Sequence, residues 1–111
     1  MAYMPATRGA WARHQPAPVV PDSVDELHGP TRGRVTLPLH IQWSGHRDYD
    51  LTDDQDVVWL YSRTIREASS VADLHAVLDG ATLVRLWPQL RLPAAHVTAW
   101  QGAFPQLRPA P

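Results

Sequence analysis

Proline is the residue that most limits what this chain can fold into. Eleven of the 111 residues are proline, and eight of these lie in residues 1–30 or 105–111. Because proline lacks a backbone N–H and has a fixed φ, it ends helices and is excluded from central strands. Helices and strands must therefore fit between the two ends of the chain and around the three remaining prolines, Pro38, Pro88 and Pro93.

The first 30 residues predict an arm that has no core of its own. Residues 15–21 (QPAPVVP) favour an extended, polyproline-like backbone with little apolar surface to bury. We interpret residues 1–30 as a disordered proline-rich arm, residues 31–107 as a single small globular domain and residues 108–111 as a tail. Trp11 is unusual in such an arm, and it is either an unpacked ring or an anchor that docks on a partner.

Apolar and polar residues begin to alternate at residue 35. The apolar positions have the period of two that is typical of a half-buried strand, and they are Val35, Leu37, Leu39, Ile41 and Trp43. Pro38 cannot donate a ladder hydrogen bond, so this strand lies at an edge or breaks there. A helix that begins at Pro38 is the competing interpretation. Tyr49 and Leu51, again two residues apart, predict a second strand and hence a hairpin.

Three to four short helices are predicted after the hairpin. Their signals are, in order, a capping box at Thr52 and Gln55, a start at Ser70 with a stop at Gly80, an end at Pro88, and a last helix from Pro93 to Pro105. The first helix has an apolar stripe of spacing 4, 4 and 3, formed by Val57, Tyr61, Ile65 and Ala68. The predicted fold class is therefore mainly α (α+β), with an N-terminal β-hairpin or extended segment followed by these helices.

Composition excludes several classes of protein. The chain has no cysteine, which removes disulfides, cysteine-type zinc sites and a thiol nucleophile. Its longest apolar run, residues 57–61, is shorter than the roughly 7–15 residues of a signal-peptide core or the about 20 of a membrane span. We therefore predict a cytoplasmic protein without membrane contact. The net charge is −1, and the basic and acidic residues are distributed along the chain with only a mild bias. A dedicated nucleic-acid binder usually has a strongly basic surface instead.

No constellation of residues predicts catalysis, a cofactor or a metal site. HExxH, GxSxG, P-loop and GxGxxG motifs are all absent from the sequence. Five aspartates lie between residues 48 and 56, but an EF-hand loop from Asp48 would need glycine and glutamate where Asp53 and Trp59 stand. Helix capping explains most of this cluster. His75 and His96 are predicted on helix surfaces, so we expect a protein that is not an enzyme.

The five tryptophans are the most informative residues for function. Four of them lie inside the predicted domain, and they either fill its small core or remain partly exposed to grip a partner. Tryptophan and arginine are the residues enriched at interaction hot spots. The candidate interaction residues are therefore Trp43, Arg85, Trp87, Arg91 and Trp100.

A helix-turn-helix is an alternative use of the helices after residue 70, because three short helices are joined there by tight turns. A recognition helix should present arginine, lysine, asparagine or glutamine to the bases. The helix before Pro88 offers Arg85 alone, and the last helix offers His96, Thr98 and Gln101.

Residues 27–107 carry a resemblance. The matching passages, in order, are GPTRGRVTLPLHIQWSG, YDL, LYSRTIREASSVADLHAVLDGATLVRLWPQLRLP, AW and FPQL. They resemble a group of small proteins from GC-rich bacteria that are encoded beside nucleotidyltransferases of the abortive-infection toxin type. The shared positions are structural in character and contain no catalytic motif.

The resemblance implies an antitoxin or a regulatory companion of a nucleotidyltransferase toxin, and so a protein partner. It implies no ligand and no catalytic residue. The alternative function is a transcriptional regulator that binds DNA, and one protein can have both functions.

Overall fold

Four short helices follow a two-stranded hairpin in the computed structural model, which describes residues 17–43, 45 and 48–109. The strands are β1 (Arg34–Thr36) and β2 (Asp48–Asp50), and the helices are α1 (Asp54–Glu67), α2 (Val71–Val77), α3 (Gly80–Leu86) and α4 (Ala94–Ala103). Three single 3-10 turns are interspersed, at Val24–Glu26, Trp87–Gln89 and Pro105–Leu107. The predicted mainly helical fold with a hairpin before the helices is confirmed. No helix within the described ranges is long and apolar enough to cross a membrane.

The hairpin is short because proline limits its first strand. β1 and β2 pair antiparallel, with Val35 opposite Tyr49. β1 ends at Thr36, two residues before Pro38, so the prediction that the strand breaks at this proline is confirmed. The predicted hairpin is present, but its ladder is only three residues long on each side.

After β1 the chain makes a hydrogen-bonded turn instead of continuing as a strand. The backbone N–H groups of Ile41 and Gln42 both donate to the carbonyl of Pro38 at 3.0 Å. The competing helix from Pro38 is thus reduced to a single turn. Ile41 is buried, whereas Leu39 and Trp43 are exposed. The alternation of apolar and polar residues in the sequence therefore belongs to a turn of which only one side is buried.

The predicted start of α1 is wrong by one residue. Asp53 is the N-cap, and its side chain accepts a hydrogen bond from the backbone N–H of Gln55 at 2.9 Å. Thr52 does not cap the helix, because its hydroxyl donates to the nearer Asp50 carboxylate at 2.7 Å. The predicted apolar stripe is confirmed, and all four of its members are buried: Val57, Tyr61, Ile65 and Ala68.

Gly80 was predicted to stop α2, but it is the first residue of α3. The N-cap of α3 is Asp79, whose carboxylate accepts a hydrogen bond from the N–H of Thr82 at 3.1 Å. A Cβ on Gly80 would lie only 2.4 Å from the carbonyl oxygen of Val24. The glycine is therefore needed for close approach of two backbone segments, and sequence alone does not distinguish this role from helix termination.

The folded part of the chain begins before residue 31, which corrects the predicted boundary of the arm. Val24 and Leu27 are 2% and 1% exposed and belong to the core. The N–H of Gly29 donates to the carbonyl of Leu78 at 2.8 Å, which holds this segment beside α2 and α3. Apolar burial here outweighs the extended preference of the prolines that precede it. The predicted arm over residues 1–16, with Trp11, lies outside the described residues.

α4 closes the core with large aromatic side chains. Trp100 is fully buried, with its ring centroid 6.1 Å from that of Trp87 and 5.7 Å from that of Phe104. α4 begins after Pro93, which is its N-cap, and ends before Pro105 as predicted. Arg108, the first residue of the predicted tail, is held against α4. Its guanidinium donates to the carbonyl oxygens of Gln101 and Gly102 at 2.7 and 3.2 Å.

We predict that Gly80→Ala destabilises the fold and that Gly102→Ala, in α4, does not. The new methyl at Gly80 would overlap backbone atoms and should lower the free energy of unfolding by about 1–3 kcal/mol. No atom lies within 4 Å of a Cβ built on Gly102, so the higher helix propensity of alanine should raise stability there by up to about 1 kcal/mol. Urea denaturation of the two variants measures both effects, and equal stabilities would contradict this account of Gly80.

Candidate interaction surface

Two tryptophans of the described chain remain exposed, and a guanidinium lies against each. Trp43 is 64% exposed and Trp59 is 50% exposed. The guanidinium carbon of Arg63 lies 5.1 Å from the ring centroid of Trp43, and that of Arg91 lies 5.8 Å from that of Trp59. These are cation–π distances, at which the charge attracts the ring face.

α1 supplies most of this surface from one side of the helix. Trp59, Arg63 and Arg66 are spaced four and three residues apart, which places them in one row. Arg91 comes from the segment between α3 and α4. Its backbone N–H donates to the hydroxyl of the buried Ser62 at 2.9 Å, which fixes the segment against α1. We define Trp43, Trp59, Arg63, Arg66 and Arg91 as the arginine–tryptophan surface.

A cleft of about 220 Å³ lies within the surface. Its lining is formed by Gln42, Tyr49, Trp59, Ser62, Arg63, Arg66 and Arg91. The hydroxyl of Tyr49 donates to the side-chain oxygen of Gln42 at 2.6 Å. Burial raises the pKa of Tyr49, which keeps this hydroxyl protonated. The charged groups in the lining are thus all guanidinium groups.

The charges of the arginine–tryptophan surface are only partly compensated. Arg66 has a carboxylate neighbour, since its Nε lies 3.4 Å from an oxygen of Glu67. Among the residues that the structure describes, neither Arg63 nor Arg91 forms an ion pair with a carboxylate. The Nε of Arg63 is also buried without a hydrogen-bond partner. The surface is therefore positive in a chain whose net charge is −1.

Only two of the five predicted interaction residues lie on this surface, namely Trp43 and Arg91. Trp87 is 7% exposed and Trp100 is fully buried, so both rings belong to the core. Arg85 is exposed on α3, where its guanidinium donates two hydrogen bonds to Asp54, at 2.8 and 3.2 Å. This pairing lowers the pKa of the Asp54 carboxyl.

Trp59, Arg63 and Arg66 were not among the predicted site residues. The positions of Trp59 and Arg63 along α1, relative to its buried stripe, do indicate that both residues are exposed. Trp59 and Arg63 each lie two residues after a member of the buried stripe, which is about 200° around the helix and so on its outer face. The cleft itself has no such signal, because Gln42 and Arg91 reach it from distant parts of the chain.

Of the histidines that the structure describes, none lines the cleft. His96 is only 2% exposed, so its predicted position on a helix surface is wrong, and both ring nitrogens are buried without a partner. His75 lies on α2, where its Nε2 is 2.9 Å from a carboxylate oxygen of Glu26. Residue 96 follows Pro93 by three positions, and this first-turn position of α4 faces the core.

Four of the five aspartates in residues 48–56 accept hydrogen bonds from nearby residues of the hairpin and of α1, and the fifth, Asp54, pairs with Arg85. Asp56 accepts a hydrogen bond from the backbone N–H of Asp50 at 2.9 Å, and Asp48 accepts one from the hydroxyl of Thr36. Within the described part of the chain, no three histidine, aspartate or glutamate side chains are grouped closely enough to hold a metal ion.

Comparisons with protein families, with curated proteins and with solved structures found no match to this chain.

We predict that Trp87→Ala and Trp43→Ala differ sharply in their effect on stability. Removing the buried ring of Trp87 leaves a cavity and should lower the free energy of unfolding by about 3–5 kcal/mol. Removing the exposed ring of Trp43 should cost less than about 1 kcal/mol, because it loses mainly the contact with Arg63. Chemical denaturation of both variants tests this, and a large loss for Trp43→Ala would place that ring in the core.

We predict that His96 makes the protein less stable in mild acid. Burial, and next the positive charge of Arg66, lower the pKa of His96 below its ordinary value of 6.5. The unfolded chain therefore takes up a proton at this residue more readily than the folded one. Its contribution to stability is complete above pH 6.5 and is lost as the pH falls below that value.

The matched variant for this prediction is His96→Leu, which removes the titrating ring. The free energy of unfolding of the variant, relative to that of the wild type, should rise as the pH falls from about 7.5 to 5. Denaturation curves across this range measure the difference, and other histidines cancel in the comparison. A difference that stays constant with pH would contradict the assignment to His96.

Proposed function

We propose that this protein is a non-catalytic interaction protein that binds another protein through the arginine–tryptophan surface. The observation that carries the proposal is the exposure of Trp43 and Trp59, each with a guanidinium against its ring. Burying a large exposed aromatic ring against a partner lowers the free energy of the complex. Tryptophan and arginine together are the side chains that most often dominate the energetics of protein interfaces.

The composition of the surface indicates what the partner offers. Leu39, 63% exposed, comes from the same turn as Trp43 and adds apolar area. Arg63 and Arg91 add positive charge that is not neutralised within the described chain. A partner with apolar pockets and an acidic rim would complement both properties, and the opposite charges would also speed association.

We propose that this partner is a nucleotidyltransferase-type toxin and that the protein acts as its antitoxin or regulatory companion. The support is the resemblance of residues 27–107 to small proteins encoded beside such enzymes. A protein of this size neutralises an enzyme by covering its active site or by holding it in an inactive state. Neither mechanism requires a catalytic group on this chain.

A helix-turn-helix regulator that binds DNA is the alternative function, and the helices give it less support. Arg85 on α3 is engaged by Asp54, and His96 on α4 is buried. The side-chain amide of Gln101 donates to the carbonyl of Leu107 at 3.3 Å. Three of the four side chains expected to read bases are thus occupied or hidden.

Under this proposal we expect the adjoining reading frame to encode a nucleotidyltransferase, and the test is co-expression of this chain with that enzyme. The wild-type chain should relieve toxicity and co-purify with the enzyme in near-equal amount. A Trp43→Ala and Trp59→Ala double variant should bind at least about thirtyfold more weakly, since a hot-spot truncation costs about 2 kcal/mol or more. The matched control is Val84→Ala, an exposed apolar residue on α3, which should bind like the wild type.

Three outcomes would contradict the proposal. If the wild-type chain leaves the toxicity unchanged, the enzyme is not its partner. If the double variant binds the enzyme as tightly as the wild type does, the enzyme does not bind through this surface. A salt-sensitive complex with the upstream DNA and none with the enzyme transfers the function to the regulator, because phosphate contacts weaken steeply with salt.

A further inference from the structure

We propose that the cleft in the arginine–tryptophan surface is a binding site for the phosphoryl group of a nucleotide. This inference does not rest on the toxin partner, because it concerns the isolated chain. The cleft lies between α1, the turn after Pro38 and the segment that carries Arg91. Its volume of about 220 Å³ admits a phosphoryl group and part of a sugar, with the rest of the ligand outside.

The cleft is positively charged. Arg63, Arg66 and Arg91 line one small cleft, and the side chains that complete the lining are uncharged: Gln42, Tyr49, Trp59 and Ser62. Two carboxylates lie near these arginines, Glu67 beside Arg66 and Asp56 close enough to Tyr49 to influence its pKa, so three positive and two negative charges leave a local net charge of +1. Like charges in a confined space repel one another, and a bound dianion removes that repulsion.

Two of the three arginines of the cleft are restrained by contacts with tryptophan rings. The guanidinium groups of Arg63 and Arg91 lie within cation–π distance of tryptophan rings, a contact that restrains both side chains without using a hydrogen-bond acceptor. Planar guanidinium edges form paired, charge-assisted hydrogen bonds with phosphate oxygens. The bond from the N–H of Arg91 to Ser62 holds the backbone of one of these residues in place before any ligand arrives.

Trp59 distinguishes a nucleotide from inorganic phosphate. Its ring forms a wall of the cleft and is half exposed beyond it. Stacking of a base on an aromatic side chain adds affinity without needing a specific base. A nucleoside monophosphate that places its phosphoryl group among the arginines brings its base to the level of this ring.

The experiment is calorimetric titration of the full chain with adenosine monophosphate, inorganic phosphate, adenosine and an acidic peptide. Saturable binding is expected for adenosine monophosphate, weaker binding for phosphate and none for adenosine. Arg63→Gln and Arg91→Gln should each weaken nucleotide binding by about tenfold or more, because each removes charge-assisted hydrogen bonds. Arg85→Gln, which removes an exposed guanidinium elsewhere on the chain, should leave it unchanged.

A further comparison identifies the source of the phosphoryl group, and several results would contradict the proposal. A short single-stranded oligonucleotide with a 5′ phosphate, compared with the same strand without it, tells a strand end from a free nucleotide. No saturable nucleotide binding, binding that survives both arginine variants, or a preference for the acidic peptide would each overturn the proposal. Circular dichroism of the variants confirms that they fold. Failure here leaves toxin neutralisation untouched, because that is measured with the partner present.

Discussion

The buried face of α1 is the constraint on which the rest of the structure depends. Its apolar stripe packs under the hairpin, α2 and α3, and polar atoms on the same helix fix the segments that follow. The hydroxyl of the fully buried Tyr61 accepts a hydrogen bond at 2.9 Å from the N–H of Asp79, the N-cap of α3. The next residue, Ser62, holds Arg91. One helix thus sets the positions of both later connections, and its outer face is left to carry the arginine–tryptophan surface.

Local patterns predicted the elements well, because helix periods and proline positions act over a few residues. The four-residue stripe of α1, the break at Pro38 and the end of α4 before Pro105 follow from such signals. The errors arose where a distant contact decided the outcome. Gly80 faces the carbonyl of Val24, 56 positions earlier in the chain, and no local pattern reveals that approach. The N-terminal boundary was wrong for the same reason.

The candidate surface was harder to predict, since it depends on which tryptophans the core has room for. All four tryptophans of the described residues were plausible core residues by composition, but Trp87 and Trp100 are buried whereas Trp43 and Trp59 are exposed. For α1, the spacing of Trp59 and Arg63 from the buried stripe indicates that both residues lie on the outer face of the helix. Trp43 had no comparable signal, because it follows a turn whose sequence alternates as that of a strand does.

The separation of the tryptophans has a spectroscopic consequence. Indole emission shifts to longer wavelength in water and to shorter wavelength in an apolar core, so Trp43 and Trp59 should emit at lower energy than Trp87 and Trp100. A nearby guanidinium can be displaced or reoriented when a ligand takes its donors, which changes the environment of the exposed rings alone. In a Trp11→Phe variant, which keeps only the four tryptophans discussed here, occupancy of the surface is therefore measurable from the red edge of the intrinsic fluorescence, while the blue edge reports on whether the core is intact.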